Sequence, residues 1–388
     1  MNKVILYFIP LIISSILIFF AHNSDLWQIF WSFFKVPAQT IPFGDLDFII
    51  KAVTLKKLGF NPYLENPMNI RYVYPSIWLY FFEILKLDEY INFRIFNFII
   101  IYIYVYIYLN LIFKFNNIYI TIILIFLFFS SANLLAIERL NIEIIIFSLV
   151  YIIALTKNNI IRSAIFILSI YSKIYPIFSV FIFSKNIKFL FIMICISLLV
   201  LFHIKNDILF LTQYGNEVAL NIAYGIPTLT KGIWYYSTKF GYLINDNNYN
   251  IFKYSIIILT CIYAFLIMLL SYRFRNKITS ASFNLDEKLF ICGAGIFIGR
   301  FIFSSNFDYS LIFLVFTIPY IFKIESKMPK FLILSSLILI FNSIIFEGGN
   351  RYTYLYFYKA LFIHSFKIIV FSLMCFYFGK VLNKHLKF

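Results

Sequence analysis

Residues 93–113 read FRIFNFIIIYIYVYIYLNLIF, and they decide the fold class. Arg94 is the only charge in this stretch. As an α-helix it would be about 31 Å long, the thickness of the hydrocarbon core of a bilayer. Similar apolar runs follow on both sides, at 4–21, 118–136, 142–156, 163–183, 187–204, 251–271, 288–305, 309–322, 331–346 and 361–381. Across the chain 62% of residues are hydrophobic, 22% aromatic and 13% charged. That leaves too little polar surface for a soluble protein of 388 residues. The pattern predicts an all-α polytopic membrane protein, a bundle of about 10–12 membrane helices forming a single integral domain over 1–388. The first span covers 1–21. Its end, Phe19-Phe20-Ala21, lacks a small-residue cleavage pattern, so it reads as an uncleaved anchor. Central spans are expected in 93–204 and C-terminal spans in 251–388.

The formal net charge is +16. The basic residues are scattered singly between apolar runs and no nucleic-acid-binding motif accompanies them, so they read as topology signals and lipid-phosphate contacts rather than a nucleic-acid surface. Cys195, Cys261, Cys292 and Cys375 all fall in apolar runs, which argues against disulfides and zinc. No His, Cys or carboxylate spacing suggests a metal, and there is no nucleotide-binding glycine fingerprint, so no cofactor is expected. His22, His203, His364 and His385 read as structural.

Two long polar-aromatic stretches, 22–92 and 205–250, interrupt the runs. Within the first, Pro75 to Leu87 is apolar but would give only about 20 Å of helix, so it is expected to lie at the interface. Short basic loops holding Lys114, Lys157 with Arg162, Lys185 with Lys188, Arg273 to Lys277, Lys323 to Lys330 and Lys384 to Lys387 should face the cytoplasm, as should the N-terminus. That count holds if 163–183 re-enters rather than crosses, because Lys173 and Pro176 interrupt its middle. In the rival count 75–87 spans, 163–183 crosses once, and Lys114, Lys157 and Arg162 lie outside. Both counts put 22–74, 205–250, Asn306 to Asp308 and Glu347 to Lys359 on one, outer side.

The first outer loop carries Phe43-Gly44-Asp45-Leu46-Asp47, then Gly59-Phe60-Asn61-Pro62-Tyr63, then Tyr72-Val73-Tyr74-Pro75. Glu138-Arg139-Leu140-Asn141, Lys173-Ile174-Tyr175-Pro176 and Asn306-Phe307-Asp308-Tyr309 follow in order. This succession resembles the GT-C membrane glycosyltransferases, and within them the polyprenol-phosphate-dependent mannosyltransferase-like branch. It departs from that pattern at Leu140, where glycine is expected, and at Ser310, where arginine is expected. The resemblance implies an inverting enzyme of the plasma (inner) membrane. It would move a monosaccharide from a polyprenyl-phosphate-linked donor to a glycan or glycolipid hydroxyl at the outer face, with the aspartate at position 45 as general base.

The residue types suit that chemistry. Sugar transfer needs a base for the attacking hydroxyl and cations or N–H groups where charge develops on the leaving phosphate. Asp45 is the candidate base, set against a role as an N-cap for a helix starting near Leu46. Asp47 follows as a first-turn charge or a supporting group. Glu138, Arg139 and Asn141, with Glu143 close behind, could bind sugar or phosphate or orient Asp45; otherwise they form an interfacial ion pair at a helix end. Lys173, deep in an apolar run, is a candidate phosphate ligand or else a snorkelling or paired lysine. Arg300, Asp308 and Arg351 are further candidates, Arg351 because it follows the anion-friendly turn Glu347-Gly348-Gly349-Asn350. Tyr214, Trp234, Tyr235 and Tyr236 could stack on sugar or form an interfacial belt. Two other readings remain open: a flippase of lipid-linked sugar, which should show repeated interrupted helices, and a polysaccharide polymerase or ligase.

Overall fold

A computed structural model describes residues 3–65, 67, 72–88, 90–214, 223–239, 248–274, 283–346 and 354–385. The apolar runs appear as helices or helix pairs. In chain order they are α1 (Lys3–Phe20), α2 (Ser24–Phe33), α3 (Gly44–Lys57), α4 (Ile77–Ile84), α5 (Tyr90–Phe115), α6 (Ile118–Phe128), α7 (Ser131–Arg139), α8 (Glu143–Leu155), α9 (Asn159–Ser172), α10 (Ile187–His203), α11 (Lys205–Tyr214), α12 (Ile226–Lys239), α13 (Tyr249–Tyr272), α14 (Leu285–Phe303), α15 (Ile318–Ile321), α16 (Lys327–Phe341), α17 (Ser343–Phe346) and α18 (Tyr354–His385). Two 3₁₀ stretches, Tyr175–Phe183 and Asp308–Thr317, accompany them among the described residues. The only described strands, β1 (Ala223–Tyr224) and β2 (Asn306–Phe307), form one short antiparallel pair.

Asparagine sets several of the helix starts. Asn23, Asn117 and Asn158 stand just before α2, α6 and α9, and each side chain accepts two backbone N–H groups of the first turn. At α14, Glu287 accepts the N–H of Asn284 at 2.9 Å. The segment 163–183 breaks where the sequence predicts. The helix α9 ends at Ser172, Lys173 is extended (φ −165°, ψ 141°), and the 3₁₀ stretch with Pro176 follows.

Among the described residues, three helices are long and apolar enough to cross a membrane: α5, α13 and the Phe357–Lys384 part of α18. The pair α6 and α7, bent by 52° at its break, makes a fourth if it is one span. Along α13 the apolar side chains point outward, Ile258, Leu259 and Phe265 each being about 60% exposed. A helix that apolar with that much open surface belongs against lipid, and it marks the chain as a membrane protein.

The chain divides into two compact units. The first comprises 1–129, 133–176 and 194–215. Here α1 packs on α5, α5 on α8, α8 on α9, and α3 on α4. Trp27, Trp31, Phe82 and Phe147 fill its interior. The second unit comprises 130–132, 177–193 and 216–388. In it α18 packs along α13, α14 and α16, and the 308–317 stretch lies along α14. That last approach needs glycine: a Cβ at Gly293 would stand 2.4 Å from the carbonyl oxygen of Phe313.

Candidate functional site

Five of the sequence-predicted residues come together in the first unit: Asp45, Glu138, Arg139, Asn141 and Lys173. The start of α3 places the first. Phe43, with φ 58°, turns the chain in the left-handed region and caps the helix without a side-chain bond. Its ring packs edge-on against Trp27, with centroids 4.8 Å apart. Asp45 therefore lies inside the first turn rather than at the cap, and its carboxylate is free to reach across the unit. There it accepts a short hydrogen bond from Asn141 Nδ2. Asp47, one step on, pairs instead with Lys51 at 2.7 Å on the α3 surface.

The turn between α7 and α8 places the next three. Helix α7 ends on a left-handed residue, Leu140, at φ 45°. The Asn141 N–H returns to the Ala136 carbonyl at 3.3 Å, closing the helix end. This position ordinarily takes glycine, which accounts for the glycine expected there; the buried Leu140 side chain accepts the strained conformation. The reversal turns Asn141 toward Asp45 and starts α8 at Glu143. Asn141 also contacts Tyr74 Oη at 3.3 Å, and its Oδ1 accepts the Glu143 N–H at 3.0 Å.

Glu143 and Glu138 are both fully buried and both compensated. Glu143 Oε1 pairs with Lys173 Nζ at 2.8 Å, and its Oε2 accepts from the Tyr175 hydroxyl. Glu138 Oε1 accepts from the Gln39 N–H at 2.7 Å and from Trp27 Nε1 at 3.4 Å. Arg139 Nε stands 3.0 Å from Glu138 Oε2, a charge contact off the line of a hydrogen bond. The two cations are not sealed in: the Arg139 side chain is 23% exposed and that of Lys173 22%. Lys173 also lies 5.6 Å from the ring centres of both Tyr74 and Tyr175.

These surroundings act on Asp45. Burial of its carboxyl raises the pKa above the ordinary aspartate value. The Asn141 hydrogen bond and the charges of Arg139 and Lys173 pull the other way, and Glu143 adds to the rise. The result is a basic carboxylate with one fixed neighbour and two partly exposed cations.

Arg300 and Asp308 belong to the second unit. Arg300 Nε donates to Asn306 Oδ1 at 2.7 Å and Nη2 to Ser310 Oγ at 2.8 Å. Arg300 thus comes to the position where the sequence has serine in place of an expected arginine. Asp308 is fully buried and pairs with Lys367 at 2.9 Å; Ser343 donates to it as well, and Lys367 also donates to the Ala223 carbonyl at 2.8 Å. In the same unit, Trp234 packs against Tyr249 and Phe252, and Tyr236 against Phe357. Arg351 with its 347–350 turn, and the Tyr214 side chain, lie outside the described residues.

Sequence reasoning missed Tyr74, Tyr175 and Lys367. The two tyrosines had a signal, since each opens a Tyr-Pro pair, and both pairs deliver a phenol to the Asn141–Glu143 turn. Lys367 had the same signal as Lys173, a lone charge inside an apolar run. Among the described residues no three His, Cys, Asp or Glu side chains gather as a metal site. Comparison of the chain with protein-family models, curated proteins and solved structures finds no match.

Proposed function

We propose that the chain is a polytopic inner-membrane glycosyltransferase of the GT-C type. It takes a monosaccharide from a polyprenyl-phosphate donor and passes it to a glycan or glycolipid hydroxyl at the outer face. The reading includes about 10–12 membrane helices, counting the shorter apolar ones, and a cytoplasmic N-terminus.

One observation carries it: a desolvated carboxylate, Asp45, is held by Asn141 within the field of two partly exposed cations, Arg139 and Lys173. A base and an anion-stabilising pair are the two things this reaction asks of a protein. The acceptor hydroxyl attacks the anomeric carbon and gives its proton to Asp45. The bond from that carbon to the lipid phosphate oxygen breaks as the new one forms, so the anomeric centre inverts. The phosphate departs with the electron pair, and Arg139 and Lys173 meet its charge. Glu138 and Glu143 keep these cations oriented.

Membranes containing the protein, given labelled sugar on defined polyprenyl phosphates or on nucleotides, test this reading. Label should reach a glycan or glycolipid from the lipid-linked donor and not from the nucleotide sugar. Movement of intact donor across the bilayer without transfer would contradict it.

A further inference from the structure

A concavity in the first unit, of about 360 Å³, is lined by Ser76, Tyr80, Tyr171, His203, Asn206 and Asp207 among others. It is within the volume range of small-molecule pockets, roughly 300–1,000 Å³. Both of its walls run directly into the Asp45 cluster. Ser76 is two residues past Tyr74, which meets Asn141. Tyr171 is two residues before Lys173, and between them the Ser172 carbonyl accepts from Trp78 Nε1 at 2.8 Å, tying the two walls together.

The lining is chemically selective. Among the described residues that line it, Asp207 is the only carboxylate and there is no lysine or arginine. A phosphate would meet the Asp207 charge there, and the lysine beside the cleft, Lys56, is already paired with Glu83 at 2.7 Å, so the cleft does not suit a phosphorylated donor. Asp207 is fixed in place: Oδ2 accepts from the Ser76 N–H at 2.9 Å and the Ser76 hydroxyl at 2.8 Å. Its Oδ1 is nearer to free. Tyr63 has a single phenolic proton, and its Oη lies 2.9 Å from the Tyr74 carbonyl oxygen and 3.3 Å from Asp207 Oδ1. The shorter bond takes the proton, leaving Oδ1 as a held acceptor. Asn206 offers a donor and an acceptor; among the described residues, neither its side chain nor that of His203 makes a hydrogen bond. His203 meets the Tyr171 ring edge-on at 5.9 Å, and Tyr80 has Lys56 over one face at 3.8 Å with its ring otherwise open.

A rigid acceptor, an amide and aromatic faces match a neutral pyranose, whose hydroxyls both donate and accept and whose C–H face stacks on rings. We propose that this cleft, built on Ser76, Asn206 and Asp207 between the Tyr80 and Tyr171 rings, is a carbohydrate subsite that holds the acceptor glycan beside Asp45. Its role as acceptor site rests on the glycosyltransferase reading; binding of sugar there does not.

Saturation-transfer NMR with methyl hexopyranosides and the full chain in phosphatidylcholine nanodiscs tests it. The wild type should transfer saturation to ring protons of at least one glycoside. Asn206→Ala, which removes no side-chain hydrogen bond among the described residues, and the isosteric Asp207→Asn should each weaken binding about tenfold, a lost hydrogen bond's worth. In transfer assays, Asn206→Ala should raise the acceptor KM and leave hydrolysis of the donor by water unchanged. The subsite is overturned if no glycoside is saturated, if both variants bind as the wild type does, or if the signal vanishes in phosphatidylglycerol nanodiscs because a headgroup fills the cleft. Glycoside binding at the cleft without any sugar transfer would keep the subsite and remove the glycosyltransferase reading. Transfer without cleft-dependent binding would do the reverse.

Discussion

Each unit contains a buried carboxylate paired with a lysine from an apolar segment, and the two pairs are built to opposite ends. In the second unit Asp308 and Lys367 are both wholly inaccessible, and their remaining bonds go to Ser343 and to the Ala223 carbonyl. The pair ties β1, the start of the 308–317 stretch, α17 and α18 to one another. In the first unit Glu143 is just as buried, but its partner Lys173 is 22% exposed and shares its surroundings with Asp45. A sealed pair can only hold structure together, whereas a lysine that keeps water access can also meet a ligand.

Breaking the sealed pair should have the largest effect on folding. Lys367→Met leaves Asp308 buried without its counter-charge and should cost about 3–5 kcal/mol. Adding Asp308→Asn should recover most of that, since removing both charges removes the desolvation penalty. Thermal unfolding in detergent of the single and double variants reads both numbers.

The half-open pair should part stability from activity. Lys173→Met combined with Glu143→Gln should unfold close to the wild-type temperature, because no buried charge is orphaned, yet should slow transfer by about 10²-fold, as for loss of one electrostatic stabiliser. Recovery of both stability and rate in the double variant would make this pair as structural as the other.

Leu140→Gly should have a smaller effect with two opposed parts. Relief of the left-handed conformation returns about 1–2 kcal/mol, and the loss of a buried leucine side chain costs about 2–5 kcal/mol. The net is a mild destabilisation, measurable as a lowered Tm. The smallest effect belongs to Asp47→Asn, which removes a half-buried i,i+4 pair at the α3 surface worth about 1 kcal/mol. Transfer rates should stay within about twofold of wild type.

How legible these regions were follows from whether their signals are local. Spans such as α5, α13 and α18 are written in uninterrupted apolar sequence, and the breaks at Asn23, Asn117 and Asn158 are written in cap residues. Lys173 stood out because Pro176 beside it already breaks the helix. Lys367 did not, because a lone lysine in a span that ends in a basic tail also reads as a snorkelling or topology residue. The bond from Asn141 to Asp45 links residues 96 positions apart, and no local spacing encodes it. Leu140 shows the same limit in reverse, since a left-handed turn written with leucine has no propensity signal, and only the resemblance asked for glycine there.

In the proposed reaction Asp45 takes the acceptor proton. Initial rates of labelled-sugar transfer from a polyprenyl-phosphate donor, measured against pH for wild type and Asp45→Asn, test it most directly. A raised pKa means Asp45 gains its proton at a higher pH than an ordinary aspartate, so the wild-type rate should fall on acidification through a pKa above about 3.9. The asparagine variant should be slower by about 10²–10⁴-fold and should lose that acidic limb. An asparagine variant with the wild-type rate and the same pH profile would show that Asp45 is not the base.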